Sequence, residues 1–353
     1  MTLQAWRGRV QPAGAEVRTE DETRVVAHYG DVAAEFGALL TGTALVDGSH
    51  HGRMRLTGAD RLPFLHNFTT QEIQALPVGG VTWAVVSNWK GTVVDLIEVV
   101  AADSELTVVT QPANREKTAA WLNKYIITED VTIEPLTETT VQFELLGPAA
   151  AQTLASLDVA VPEAFTAVTA SLAGVPVTLW QHRWIGGMGF RLIGPADQAA
   201  VCWEALIEAG ARPVGSEALA WRRILDGFPA YGAEMGEDTN PWEARLQGAI
   251  SLSKGCYLGQ EVIARLRTYQ KVQKFVVGLA LPDETVPKVG DPVLDEAGAT
   301  IGKVTSVASR PQGDAIVLGL VKAKWAASGT SVFIDGTPAT VIDRPFWQEQ
   351  APL

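Results

Sequence analysis

One short stretch of the chain combines a thiol, a cation and open backbone. It is Lys254-Gly-Cys-Tyr-Leu-Gly-Gln-Glu, and apolar residues at 262, 263 and 266 predict that an amphipathic helix begins just after it. Cys256 would then lie close to a helix N-terminus and two residues from Lys254, and both the helix dipole and the cation favour a thiolate. A reactive cysteine is therefore one interpretation of the stretch, and residue statistics alone favour the other. The alternative is that Cys256 is a small buried residue in a turn.

The residues that follow this stretch are unusually basic. Between residues 254 and 274 there are five Lys or Arg and one Glu, a local charge of +4 in a chain whose net charge is −12. Such a concentration suits an anionic ligand, and the alternative is a solvated helix face with paired charges. The acidic remainder of the chain disfavours broad attraction to nucleic acid or to anionic membranes. We therefore expect neither direct nucleic-acid binding nor membrane association.

Several common kinds of site are missing from the sequence. It contains no G-x-S-x-G, H-E-x-x-H or Walker A pattern, and its two cysteines form no C-x-x-C pair. The adjacent His50 and His51 would point to opposite sides of an extended chain, so we predict no metal site. The mean hydropathy is +0.10, and no apolar run reaches the roughly 18 residues that span a bilayer. We predict a cytoplasmic protein.

The elements that must position these residues follow from the apolar patterns. Residues 81–87 and 92–100 predict two strands joined by the turn Asn88-Trp-Lys-Gly, and residues 217–225 predict a helix. Short β-rich runs after residue 275 predict a small all-β module, and residues 1–50 predict only a short amphipathic lead-in with one strand at 44–47. At 353 residues the α+β chain exceeds the size of one ordinary core, about 250 to 300 residues.

Taken together, these stretches resemble the YgfZ family of folate-binding proteins, which are related to the aminomethyltransferase (T-protein) of the glycine cleavage system. Residues 254–261 resemble the signature K-G-C-Y-x-G-Q-E, and residues 45–50, 64–70, 223–232 and 239–246 resemble segments shared by both groups. The resemblance implies a three-lobed ring around tetrahydrofolate or a one-carbon derivative of it. Its domains would be a GcvT-like domain over 1–50 and 140–270, a ferredoxin-like domain over 51–139 and a β-barrel over 271–353.

The resemblance also implies roles for individual residues. Cys256 and Lys254 would be the reactive pair, with the lysine lowering the pKa of the thiol. The residues implied in folate binding are Arg223, Asn88, Tyr257, Gln260 and Glu243.

Two departures separate this sequence from the T-protein. Thr118 stands where the T-protein has an aspartate implicated in amine chemistry, and a hydroxyl cannot replace a carboxylate as an acid or base near neutral pH. Gly187 stands where the T-protein has a glutamate that binds the pterin ring. Both departures predict that the protein lacks glycine cleavage activity.

Two functions remain open. The favoured hypothesis is a folate-binding accessory protein that supports assembly or repair of iron–sulfur enzymes, including tRNA-modifying ones, through Cys256. The alternative is an enzyme: a tetrahydrofolate-dependent aminomethyltransferase or other one-carbon transferase. It needs a base, for which Glu243 and Asp226 are the candidates, although both lie in turn-rich segments where a capping role is common.

Overall fold

The computed structural model describes residues 15–20, 23–182, 189–282, 285–309 and 315–343. The α-helices are α1 Val32–Thr41, α2 Arg61–Phe68, α3 Lys117–Asn123, α4 Ala150–Ser156, α5 Ala199–Glu208, α6 Ser216–Asp226 and α7 Gln260–Thr268. The first strands are β1 Glu16–Glu20, β2 Thr23–His28, β3 Ala44–Asp47, β4 Gly52–Thr57, β5 Val81–Ser87, β6 Val93–Ala101, β7 Glu105–Thr110, β8 Thr132–Pro135 and β9 Thr140–Leu146. The later strands are β10 Ala167–Leu172, β11 Val175–His182, β12 Gly189–Pro195, β13 Arg212–Pro213, β14 Lys274–Ala280, β15 Pro292–Leu294, β16 Thr300–Ser309, β17 Ala315–Lys322, β18 Ser331–Ile334 and β19 Thr337–Ile342.

The chain divides into two compact units. The first comprises the described residues of 1–65, 73–83 and 97–219, and the second those of 66–72, 84–96 and 220–353. The strands β5 and β6 therefore contribute to both units, with their connecting turn in the second. The three-domain division expected from the sequence stays a prediction.

The first unit contains a six-stranded sheet in the order β10-β11-β12-β9-β3-β13. Helices α4 and α5 pack their apolar faces on it, and the shared core includes Phe143, Leu154, Phe190, Trp203 and Leu206. Burial of such large side chains is the main favourable term in folding. The strands β4, β7 and β8 form part of a second sheet, whose order is β5-β6-β7-β4-β8. All nine residues of β6 are buried, which explains its nearly continuous apolar sequence.

The second unit contains a closed barrel in the order β14-β17-β16-β15-β18-β19. Its interior is filled by small and branched apolar side chains, among them Val277, Val304, Val321 and Ile334. Closure leaves the barrel without the exposed edges that an open sheet would have. The α+β class and the C-terminal β-barrel predicted from the sequence are confirmed.

The main error of the sequence analysis concerns residues 1–50. Instead of a lead-in with a single strand, the described part of this segment contains the hairpin β1–β2 and the helix α1 as well as β3. Asp31 caps α1, and its side chain accepts a hydrogen bond from the backbone N–H of Ala34 at 3.0 Å. The short strand β15 was also missed, because three residues beginning with proline carry almost no periodic signal.

Candidate functional site

Lys254 lies at the start of the signature loop, residues 254–259, and is bound by backbone. Its Nζ donates to the carbonyl oxygens of His66, Thr69 and Gln71 at 2.7, 2.6 and 2.9 Å. Burial lowers the pKa of Lys254 to about 7, while the three acceptors oppose this shift because a neutral amine has only two protons to donate. All three N–H groups of the ammonium are therefore used within the second unit.

Cys256 stands exposed in the middle of the same loop. The loop is held beyond it as well, since the backbone N–H of Leu258 donates to the carbonyl of Asn67 at 2.9 Å and Ser87 Oγ donates to the carbonyl of Leu258 at 2.6 Å. The thiol thus lies between two fastened points, four residues before α7 begins. Its predicted reactivity, and the predicted effect of Lys254 on its pKa, stay predictions.

The turn between β5 and β6 packs against the end of the signature loop. Gly259 adopts a φ of +84°, and a Cβ on it would overlap the carbonyl oxygen of Asn88 and crowd Gly91. The Asn88 side chain closes this turn: Oδ1 accepts from the N–H of Lys90 at 2.9 Å, and Nδ2 donates to Thr92 Oγ1 at 2.7 Å. The structure therefore gives Asn88 a turn-holding role, and its role toward folate stays a prediction.

Tyr257 and Gln260 also have contacts within the signature loop. The Tyr257 ring lies 5.0 Å from the Lys254 ammonium, and burial raises the pKa of its hydroxyl to about 12. Gln260 Nε2 donates to the carbonyl of Gly255 at 3.2 Å. These contacts shape the loop around Cys256. Binding of folate by these two side chains stays a prediction.

Arg223 is engaged in an internal polar network. Its Nη1 donates to the carbonyl of Phe228 at 2.7 Å and to Glu234 at 3.0 Å, and its Nη2 donates to Ser306 Oγ at 2.7 Å. Ser306 in turn donates to Glu234 at 2.6 Å. The guanidinium thus joins α6 to the loop that follows it and to barrel strand β16. Arg223 is also predicted to contact folate, and that contact stays a prediction.

The two acids considered as bases both have structural partners. Glu243 accepts from the N–H of Asn240 at 3.2 Å, and Asn240 Oδ1 accepts from the N–H of Glu243 at 3.1 Å, which is the reciprocal arrangement of a capping box. Burial raises the pKa of Glu243. Asp226 accepts from Arg222 at 2.9 Å. The predicted folate contact of Glu243 stays a prediction.

The first unit contains a buried polar cluster that the sequence analysis missed. Arg191 on β12 donates to Glu98 on β6 and to Glu144 on β9, both at 2.7 Å, and all three side chains are at most 1% exposed. Gln142 donates to the same oxygen of Glu144 at 3.1 Å, and His182 on β11 lies 3.8 Å from its other oxygen. Side chains from four strands, β6, β9, β11 and β12, therefore meet in one buried polar cluster.

The surroundings shift the pKa values of the two carboxylates in this cluster in opposite directions. Burial raises the pKa of Glu98 to about 7 against the opposing effect of Arg191. Burial also acts to raise the pKa of Glu144, but Arg191 and His182 outweigh it and the pKa is lowered. Burial brings the pKa of His182 well below its usual value, so this imidazole is neutral. Arg191 and Glu144 thus form the ion pair, and Glu98 titrates near neutral pH.

Three acceptor atoms of this cluster accept no hydrogen bond within the described residues. They are Glu98 Oε1, Glu144 Oε2 and Gln142 Oε1. Each carboxylate has one oxygen on Arg191, and the Trp180 side chain also interacts with Glu98 and lowers its pKa. A sequence signal existed, because Glu98, Glu144 and Arg191 each stand between two apolar residues of a strand and an isolated buried charge is costly. Periodicity alone does not say that the three interruptions meet.

The positions that distinguish the sequence from the T-protein differ in what the structure shows. Thr118 is completely buried in α3. Gly187 and the neighbouring Trp184 lie outside the described residues. Within the described residues, no helix is long and apolar enough to cross a membrane. No group of three His, Cys, Asp or Glu side chains in that part of the chain is arranged to hold a metal ion.

Comparisons with known proteins give the family. The GCVT N-terminal domain matches residues 8–254, and the glycine cleavage T-protein C-terminal barrel domain matches residues 274–348. A putative chloroplastic transferase of Arabidopsis thaliana is 31% identical over 94% of this chain and 77% of its own length. An aminomethyltransferase of Herpetosiphon aurantiacus is 31% identical over 91% of both chains.

A solved structure shows the same fold. The crystal structure of glycine cleavage system aminomethyltransferase T from Bartonella henselae superposes with a TM-score of 0.87, covering 99% of this chain and 98% of that one at 22% identity. These findings do not show that the chain belongs to the narrower YgfZ family, and that assignment stays a prediction. The chain belongs to the GcvT family, the family of the glycine cleavage T-protein.

Proposed function

We propose that the protein is a tetrahydrofolate-dependent one-carbon transferase of the aminomethyltransferase type. This is the hypothesis that the sequence analysis placed second, and the names of the relatives favour it over the first. The structural observation that carries it is the pair of buried carboxylates, Glu98 and Glu144, each with one oxygen on Arg191 and one that meets no hydrogen-bond geometry with the described residues.

The available acceptors fit the chemistry of a folate. The pterin ring presents several N–H groups along one edge, and carboxylate oxygens in a low-dielectric site are strong acceptors for such donors. Glu98 Oε1 on β6 and the two atoms Glu144 Oε2 and Gln142 Oε1 on β9 supply three acceptors. They would compensate for Gly187, which removes the glutamate that the T-protein uses for the pterin. When bound, tetrahydrofolate supplies the nitrogen that accepts the one-carbon unit.

A transferase also needs a group that moves a proton. Asp95 is a completely buried carboxylate on β6, in the part of that strand that belongs to the second unit. Its Oδ1 accepts from the N–H of Leu96 at 2.9 Å, and this keeps the carboxylate oriented. Asp95 is therefore a further candidate base beside Glu243 and Asp226, and like them it has an internal hydrogen-bond partner.

Calorimetric titration with tetrahydrofolate tests the binding part of the proposal. Replacing Glu144 by Gln keeps the shape and removes one charged acceptor, so the Kd should rise about 10- to 100-fold, the usual effect of a hydrogen bond to a charged group. Glu134→Gln is the matched control, because Glu134 is exposed and pairs with the surface residue Arg55. Equal affinities of wild type and Glu144→Gln would refute this site, and loss of binding in Arg223→Ala would place folate at Arg223 instead.

Turnover tests the catalytic part. One-carbon transfer from an aminomethyl donor to tetrahydrofolate should fall at least 100-fold in Asp95→Asn, with little change in the Kd for tetrahydrofolate. Full activity in Asp95→Asn would exclude this residue as the base.

The exposed Cys256 supports a second function. A thiol presented between two fastened points suits transient contact with a cluster or an adduct, and one cysteine needs further ligands from a partner to hold a cluster. The protein would then be a cytoplasmic accessory factor for iron–sulfur client enzymes, including tRNA-modifying ones. Cys256→Ala should abolish the activity of such clients in cells, whereas the buried Cys202→Ala should not. An unchanged client activity in Cys256→Ala would leave the transferase as the function.

A further inference from the structure

The bonds of Lys254 form a small cation cage. Three carbonyl oxygens from the seven-residue segment 66–72 converge on one ammonium, at 2.6 to 2.9 Å. The lysine itself is only 7% exposed. Carbonyl oxygens converging on one point are the ligands by which proteins also hold bare cations, so the cage is selective for positive charge.

The segment 66–72 organises the surroundings of the signature loop. The N–H of Thr70 donates to the carbonyl of Val85 at 3.0 Å, and Thr70 Oγ1 donates to the carbonyl of Ala249 at 2.6 Å. The carbonyls of Thr70 and Asn67 accept from the N–H groups of Ser251 and Leu258, both at 2.9 Å. The segment therefore joins β5 to residues on both sides of Cys256. The Lys254 ammonium offsets the partial negative charges of three carbonyl oxygens of the segment.

We infer that Lys254 is a positioning residue whose ammonium holds the segment 66–72 in place, and that a small alkylammonium ion can substitute for it. The inference does not depend on the proposed function, because the bonds that carry it lie within the second unit and involve none of the proposed folate contacts. Each proton of the ammonium is bonded to a carbonyl, so delivering one to a reacting group would break the cage. The expected role of Lys254 as the cation that activates Cys256 competes with this inference.

Chemical rescue tests the inference. Lys254→Ala removes the four atoms beyond Cβ, which propylammonium matches atom for atom, whereas Lys254→Met fills most of that space without charge. We expect amide hydrogen exchange over 66–72 and at Leu258 to become at least tenfold faster in both variants. Propylammonium should restore slow exchange, saturably, in Lys254→Ala only, and 1-propanol should restore it in neither. Unchanged exchange in Lys254→Ala, or equal rescue by 1-propanol, would overturn the inference.

A measurement on the wild type makes the test independent of whether the variants fold. In the native protein, an amine-acetylating reagent should modify Lys254 at least 100-fold more slowly than the exposed Lys271, because the caged amine is both buried and bonded. Similar rates for the two lysines would overturn the inference. Neither experiment contains folate. The inference about Lys254 can therefore be confirmed when the proposed transferase function is refuted, and it can be refuted when that function is confirmed.

Discussion

Glu98 should make the stability of the protein depend on pH near neutrality. Its pKa is raised from 4.5 to about 7 by burial. The folded protein therefore holds this proton more tightly than the unfolded chain, so stability falls as the pH rises from about 4.5 to about 7 and stays reduced above that. Glu98→Gln keeps the acceptor oxygen for Arg191 and removes the titration.

The size of the effect follows from the two pKa values. At 1.36 kcal/mol per pKa unit, ionising Glu98 costs the folded state about 1 kcal/mol at pH 5.5 and about 3 kcal/mol at pH 8. The stability of Glu98→Gln relative to wild type should therefore increase by about 2 kcal/mol between these two pH values. Glu144 shares Arg191 with Glu98, so the difference between the two proteins reports the titration of the coupled cluster.

Urea denaturation at pH 5.5 and pH 8 measures this difference. The free energy of unfolding is obtained from the transition midpoint and slope, and a change of 2 kcal/mol is well above the error of the extrapolation. Glu134→Gln is the control, because it neutralises an exposed carboxylate whose surface ion pair contributes little. Parallel pH dependences of wild type and Glu98→Gln would refute the assignment of a proton to Glu98 near pH 7.

Three further outcomes are expected. Arg191→Met leaves two buried carboxylates without their cation and should lower the free energy of unfolding by about 3 to 5 kcal/mol, measured in urea at pH 8. Gly259→Ala forces a Cβ into the turn between β5 and β6 at a positive φ and should cost about 1 to 3 kcal/mol. In contrast, Gly255→Ala meets no atom within 4 Å and should leave the melting temperature nearly unchanged. A thiol reagent should modify Cys256 in the native protein, and Cys202 only on unfolding, because Cys202 is buried and its pKa is raised to about 11; simultaneous modification of both thiols would contradict these positions.

The sequence predicts those elements whose signal is local. Alternating or continuous apolar residues with turn residues between them predict β5 and β6 within one residue of their observed ends, and the β-rich runs after residue 275 predict the barrel. The helix after the signature loop was also predicted, although Ile263 is its only buried residue among the described ones. Val262 was expected inside and is 39% exposed. Periodicity identifies an apolar face, but which part of that face is covered depends on what packs against it.

The motif Lys254 to Glu261 led to the correct broad family, but its residue types did not reveal the hydrogen-bond partners of the lysine. Proximity in sequence suggested that Lys254 acts on Cys256, whereas the ammonium binds carbonyls 183 to 188 residues away. Similarly, Arg223 and Glu243 looked like ligand contacts, and the structure gives both of them internal partners. A side chain's type limits the bonds it can make, but its partner is whichever group the fold brings within 3 Å.

The polar cluster of the first unit shows most clearly the difference between what residue types predict and what the fold decides. The sequence alone establishes that Glu98, Glu144 and Arg191 each occupy an apolar strand, and burial cost requires each of them to find a partner. Their separations of 93 and 47 residues carry no information about the pairing. Sheet order and register decide it, because the neighbouring strands β12 and β9 place Arg191 opposite Glu144. Local chemistry thus determined the class of the fold and the kinds of residue available, and only the tertiary structure decided which charges meet, because that depends on strand pairings between distant segments.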